Sequence, residues 1–187
     1  MDNPKLIRYE SVEESDTLSG WLSISKPLMT AEEFIFLLRH LVSIDAVEET
    51  ENFLRQAGAQ DCEGAVLWIA EKEAESFRVR RVIAPRQTAS RWHFDVPLEE
   101  RIRIAMSLRE KEVVLLQVHS HPEEAFHSPT DDRKAMVDRL WALSIVVPNF
   151  CRDGMRDLST LSAYALRGPL DWVQLSSAQL RRLFVIQ

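Results

Sequence analysis

Val118-His119-Ser120-His121-Pro122-Glu123-Glu124-Ala125-Phe126-His127-Ser128-Pro129-Thr130-Asp131-Asp132 sets three histidines and two aspartates at the end of an apolar run. Val113 to His119 has the length and composition of a buried strand, and side chains two apart on a strand share a face. His119 and His121 can therefore aim at one point beyond the strand end. Two imidazoles are half of a zinc site, and a carboxylate arriving from a following helix would complete three protein ligands. Taken alone, Ser128-Pro129-Thr130-Asp131-Asp132 reads as an ordinary helix start: Ser at the N-cap, Pro at the first helical position, acids facing the positive end of the dipole. His-Ser-His alone could be a polar strand end. Both features within one strand-to-helix junction point instead to a metal site.

Outward from this stretch, the chain mixes strands and helices without strict alternation. On the N-terminal side, Ala65 to Ile69 is a continuous apolar run and Phe77 to Ile83 a second strand at hairpin distance. Arg91 to Val96 alternates polar and apolar, Pro97 ends it, and a helix is expected over Leu98 to Arg109. Thr30 with Glu33 makes a capping-box pattern, and Phe34, Leu37, Leu38 and Leu41 follow at helical spacing. Asp45 with Glu48 repeats it for a second helix, expected to close at Gly58 in a left-handed conformation. His40 falls on the polar side of the first of these helices. Residues 1–28 form an N-terminal extension with at most a short strand around Trp21 to Ile24, and 29–187 one domain. On the C-terminal side a helix is expected from Thr130 to Ala142, with Met136, Val137, Leu140 and Trp141 inward. Strands follow at Ser144 to Pro148, Leu161 to Leu166 and Leu170 to Leu175, the last two split by Gly168-Pro169, then a short helix before Val185. The fold class is α+β (mixed α/β), a mixed sheet flanked by helices.

Composition narrows the function. A formal charge of -6 disfavours nucleic acid, because neutralising phosphate needs a clustered excess of Lys and Arg. No apolar run approaches the ~20 residues needed to cross a bilayer, so no membrane role is expected. The polar start lacks the apolar stretch of a secretory signal, and the expected location is cytoplasmic. Cys62 and Cys151 have no companion at metal-ligand spacing and are expected to be reduced thiols.

The central motif resembles the JAMM or MPN+ metallopeptidases, whose signature is an upstream Glu and then His-x-His, about seven residues, and Ser-x-x-Asp. The match is His119-Ser120-His121 and Ser128-Pro129-Thr130-Asp131, with six residues between His121 and Ser128. Counting on without a gap would put the carboxylate ligand at Asp132, whereas keeping the Ser-x-x-Asp frame puts it at Asp131. The frame is preferred, since Ser128 and the ligand should come from one helical turn. Glu63-Gly64-Ala65-Val66-Leu67-Trp68-Ile69-Ala70 fits the upstream pattern, with Asp61, Glu71 and Glu73 as competing acids. The wording around the histidines is similar to bacterial JAB-domain proteins that accompany ubiquitin-like modifiers and their activating and conjugating enzymes. The likeness covers roughly residues 30 to 175.

The resemblance implies an MPN/JAB-like curved sheet and one Zn²⁺ on His119, His121 and Asp131 with a bound water. It further implies Glu63 as general base and Ser128 as a donor to the oxyanion. The implied reaction is hydrolysis of an amide at the C-terminus of a ubiquitin-like protein, by deconjugation or precursor trimming. His127 lies outside the family's ligand set, and His93 and His40 are not assigned to metal. A catalytically silent MPN scaffold binding a ubiquitin-like partner is the alternative. Retention of Glu63, both histidines, Ser128 and Asp131 argues for the enzyme.

Overall fold

The computed structural model describes residues 39–137 and 139–187. Its elements are β1 (Arg39–Val42), α1 (Ile44–Gly58), β2 (Ala65–Lys72), β3 (Ser76–Ile83), β4 (Thr88–Ser90), β5 (His93–Asp95), α2 (Leu98–Ser107), β6 (Glu112–Ser120), α3 (Pro129–Lys134), β7 (Leu143–Val147), a 3₁₀ turn (Asn149–Cys151), β8 (Ser162–Gly168), β9 (Asp171–Leu175), α4 (Ser177–Leu183) and β10 (Phe184–Ile186). Eight strands form one curled, mixed sheet in the order β10-β1-β3-β2-β6-β7-β8-β9, and β4 with β5 makes a separate two-stranded ribbon.

The continuous apolar run of β2 is explained by its place at the centre of this sheet, covered on both faces. Val66, Trp68 and Ala70 join the main core with Val47 and Leu54 of α1. Leu67 and Ile69, on the opposite face, pack with Ile104 of α2 and with Val137. The period of two thus divides one strand between two hydrophobic layers. On the far side of β6, Leu143, Ile145 and Val147 of β7 extend the main core. Among the described residues no helix is long and apolar enough to cross a membrane.

Several expectations are corrected. The helix expected through Leu41 lies mostly outside the described residues, as does the strand near Trp21, but its end is strand: Arg39–Val42 pairs in parallel with both β3 and β10. Pairing on both sides overrides the helical spacing there, and His40 is buried rather than on a polar helix face, its ring edge-on to Phe77 and Phe184. α1 is capped by Ser43, whose Oγ accepts from the Ala46 N–H, and not by Asp45. Its end is not left-handed either: Ala59 closes the helix at φ -64, and Gly58 is required by close packing, since a Cβ there would lie 2.4 Å from the Phe150 Cβ. Finally, the helix expected to reach Ala142 stops at Lys134, where the Arg101 guanidinium takes the carbonyls of Lys134 and Ala135. Leu140, expected inward, is exposed, while Val137 is buried as expected. Cys62 and Cys151 are both free thiols.

Two outcomes follow. Gly58→Ala forces the Phe150 backbone aside and should lower the unfolding free energy by about 1–3 kcal/mol in a denaturant titration. Burial, with the nearby Arg139 charge adding to it, holds the His40 pKa down at about 4 against 6.5 for a free histidine. The unfolded chain then binds the extra proton, so stability is lost as pH falls from 6.5 through 4. His40→Leu should lack this loss, the gap between variant and wild type moving by up to about 3 kcal/mol across that window.

Candidate metal centre

The site is assembled where the start of β2 meets the end of β6. Ala65 pairs with His119, the Gly64 carbonyl accepts from the Ser120 N–H at 3.0 Å, and Ser120 Oγ accepts from the Gly64 N–H at 3.2 Å. Glu63 is thereby delivered to the strand end that carries both histidines, and its own N–H bonds to the Ser90 carbonyl of β4. His121 is held beyond the strand from both sides: its N–H donates to Val147 and its carbonyl accepts from Phe150. Phe150 sits in a run of three residues with positive φ, Asn149, Phe150 and Cys151 at 54°, 52° and 61°. Such backbone costs about 1–2 kcal/mol per residue and persists only when its surroundings over-determine it. Here the buried Phe150 ring and the His121 carbonyl do so.

Asp131 enters from the first turn of α3. Ser128 Oγ accepts from the Asp131 N–H at 3.2 Å, and Asp131 Oδ2 accepts from the Ser128 N–H at 2.7 Å, a reciprocal cap. The residue that caps the helix start is therefore also the one whose carboxylate is carried toward the histidines. The cap turns the carboxylate inward, so that Oδ1 lies 3.5 Å from His119 Nε2 and Oδ2 3.6 Å from His121 Nε2. Tetrahedral bonds of 2.0–2.2 Å separate ligand atoms by roughly 3.3–3.6 Å, and each histidine lies at about that spacing from one carboxylate oxygen. Ligand atoms of His119, His121 and Asp131 all lie within 4.8 Å of one another, and among the described residues these three form the group able to hold a metal.

A second observation agrees with the donor set. The His119 side chain is fully buried, and neither of its ring nitrogens has a hydrogen-bond partner among the described residues. A buried imidazole facing a carboxylate without bonding to it is otherwise unexplained. Burial also lowers its pKa to about 3, which keeps it neutral and able to bind a cation. Burial alone would raise Asp131, but His121, His119 and the Ser128 contacts together hold it well below the ordinary carboxylate range.

Glu63 stands beside this group. Its Oε1 is 4.0 Å from His121 Nε2, and burial pushes its pKa up to about 7, His121 opposing and Asp131 adding to the shift. Glu63, His121, Ser128 and Asp131 line a cleft of about 340 Å³ together with Trp92, Phe94 and Phe126. The competing acids are engaged elsewhere: Asp61 with Arg91, Glu71 with Arg80, Glu73 with Arg78. Asp132 is not part of the triad and pairs with His127 Nδ1 at 2.7 Å. His93 borders the cleft near Lys134, and His40 lies on β1. Sequence reasoning missed Phe94, whose ring lies 5.5 Å from that of His119, and Phe126, edge-on to His121 at 4.9 Å. It also passed over Gln117, the one polar residue between Val113 and Val118, which was the available signal.

Residues 49–159 match the family model described as prokaryotic homologs of the JAB domain. The chain belongs to this family. A relative in Sinorhizobium fredii, described as "Probable metalloprotease y4jG", is 35% identical over 147 residues, spanning 76% of this chain and 90% of the relative. The solution structure of protein DSY2949 from Desulfitobacterium hafniense shares the fold at a TM-score of 0.58 and 17% identity, covering 79% of this JAB-family chain and 92% of the other.

Elemental analysis of metal-replete protein should find close to one zinc per chain, lost in His119→Ala and His121→Ala. Asp131→Asn should weaken zinc far more than Asp132→Asn. The opposite ranking would place the ligand one residue later.

Proposed function

We propose that this JAB-family chain is a zinc metallopeptidase that hydrolyses the amide at the C-terminus of a ubiquitin-like protein, freeing it from a lysine amine or from residues following its tail. Membership of the JAB family and a relative described as a probable metalloprotease support peptide-bond hydrolysis. The observation that carries the reading is Glu63, a buried carboxylate next to the triad but outside it, its Oε1 4.0 Å from His121 Nε2. A carboxylate held there can take up a proton beside the triad and give it back.

Zinc, when held by the triad, supplies a Lewis acid able to bring the pKa of water from roughly 15.7 to about 7. Glu63 takes the proton of the attacking water on a carboxylate oxygen and returns it to the leaving amine nitrogen, so one water is consumed and a carboxylate and an amine result. Ser128 Oγ accepts from the Asp131 N–H, which leaves its own proton free to donate to the oxyanion of the tetrahedral intermediate. Trp92 and Phe126, 64% and 53% exposed, stand at the cleft and shield the reacting amide from bulk water. An extended tail lies along β5, whose His93 and Phe94 border the same cleft, by addition of a strand.

Glu63→Gln keeps shape and removes the base, so zinc content should stay at the wild-type level while kcat falls by about 10²–10⁴. The assay uses a ubiquitin-like protein fused through its C-terminus to a reporter, with zinc measured on the same sample. Near-normal turnover in zinc-loaded Glu63→Gln would refute this mechanism.

A further inference from the structure

α3 carries both Ser128's cap and Asp131, yet it has no apolar anchor. It is six residues long, Pro129–Lys134, and its only buried residue is Asp131 itself. Helices of this length are ordinarily held by a packed apolar face. Something polar must therefore set where Asp131 points.

A buried hydrogen-bonded chain does run along it. The Met136 N–H, just past the helix, donates to Gln117 Oε1 at 2.7 Å. Gln117 Nε2 donates to Ser144 Oγ at 2.9 Å, the two residues being register partners on β6 and β7 and each at most 1% exposed. Ser144 Oγ lies 3.0 Å from His127 Nε2, and His127 Nδ1 lies 2.7 Å from Asp132 Oδ1. The directions along this chain follow from its ends. A backbone N–H can only donate, so Gln117 presents its oxygen to Met136 and its amide nitrogen to Ser144. At the other end the Asp132 carboxylate can only accept, so His127 Nδ1 carries the proton and donates it. In the neutral ring Nε2 is then an acceptor, and Ser144 donates its hydroxyl proton to it. The ring itself is immobilised: its side chain is 2% exposed, it stacks on Tyr164 with centroids 4.7 Å apart, and the His127 N–H bonds the Tyr164 hydroxyl.

We propose that His127 is a positioning residue for the metal: through Asp132 it ties the first turn of α3 to the central strands β6 and β7, and so aims the neighbouring Asp131 at His119 and His121. Gln117 grips the chain beyond the other end of the same helix, so both ends are referred to the strand that bears the histidines. This rests on the triad as metal centre, and Co²⁺ binding tests both separately.

The readout is Co²⁺ affinity and the ligand-field absorption spectrum of the full chain, which report ligand geometry without turnover. Lost outer-shell support typically costs 10–100-fold in metal affinity. His127→Phe keeps the stacked ring and removes both hydrogen bonds, so affinity should fall by at least about tenfold with an altered spectrum and an unchanged circular dichroism spectrum. Asp132→Ala should give the same loss, and the double variant no more than either alone. His127→Asn retains a donor near the Nδ1 position and should recover most of the affinity. Should His127→Phe fail to fold, Asp132→Ala decides by itself, its carboxylate being partly exposed and its removal leaving no buried gap. Wild-type affinity and spectrum in His127→Phe or in Asp132→Ala would overturn the proposal, as would losses that add in the double variant. Failure of the wild-type chain to bind Co²⁺ would overturn the metal centre itself.

Discussion

The register between β2 and β6 is the constraint on which the rest of the site depends. Side chains alternate along a strand, so a slip of one residue would send His119 to the opposite face. Ala65 opposite His119 prevents it, and the paired bonds between Gly64 and Ser120 lock the strand ends together. Gly64 is fitted to this place: a Cβ there would meet Ala57 and Phe53 of α1 at 3.0 and 3.1 Å. Because both strands are buried on both faces, any other register would expose apolar side chains or bury charged ones. Core packing thus supplies the rigidity with which Glu63 and the two histidines are held.

Asp131 reaches this frame by different physics. Asp131 is oriented by helix capping, a local backbone interaction, and the helix it caps is placed by polar contacts from β6, β7 and α2. A concentration of buried polar groups is unfavourable unless each is satisfied. The network of Gln117, Ser144, His127 and Asp132 is satisfied link by link, while His119 is left without a partner among the described residues. The completed network contrasts with the His119 ring a few ångströms away, which faces the Asp131 carboxylate without bonding to it, as fits a donor set for a cation.

Strands were legible where burial on both faces leaves a continuous apolar run, over Ala65–Ile69 and Val113–His119, and where alternation marks a half-buried strand, over Phe77–Ile83. Helical periodicity misled at two places. Around Leu41 the apolar residues serve a strand between two parallel neighbours. Beyond Lys134 they serve an irregular segment, because Arg101 removes the carbonyls that a continuing helix would need. In both cases partners distant in sequence outcompeted a local preference worth only a few tenths of a kcal/mol per residue.

What the sequence by itself determined is the chemistry at hand: two histidines one residue apart at a strand end, a capped helix start with two acids, and a glutamate leading another strand. Spacing alone left Asp131 and Asp132 open, since six residues stand between His121 and Ser128. Only the tertiary structure separates the two in space, giving Asp132 to His127 and turning Asp131 toward the two imidazoles. It also decided that Glu63, and not Asp61, Glu71 or Glu73, stands beside them. The reason is physical: a ligand set is a matter of a few ångströms in space, and those distances are set by strand register and by buried contacts between residues far apart in the chain.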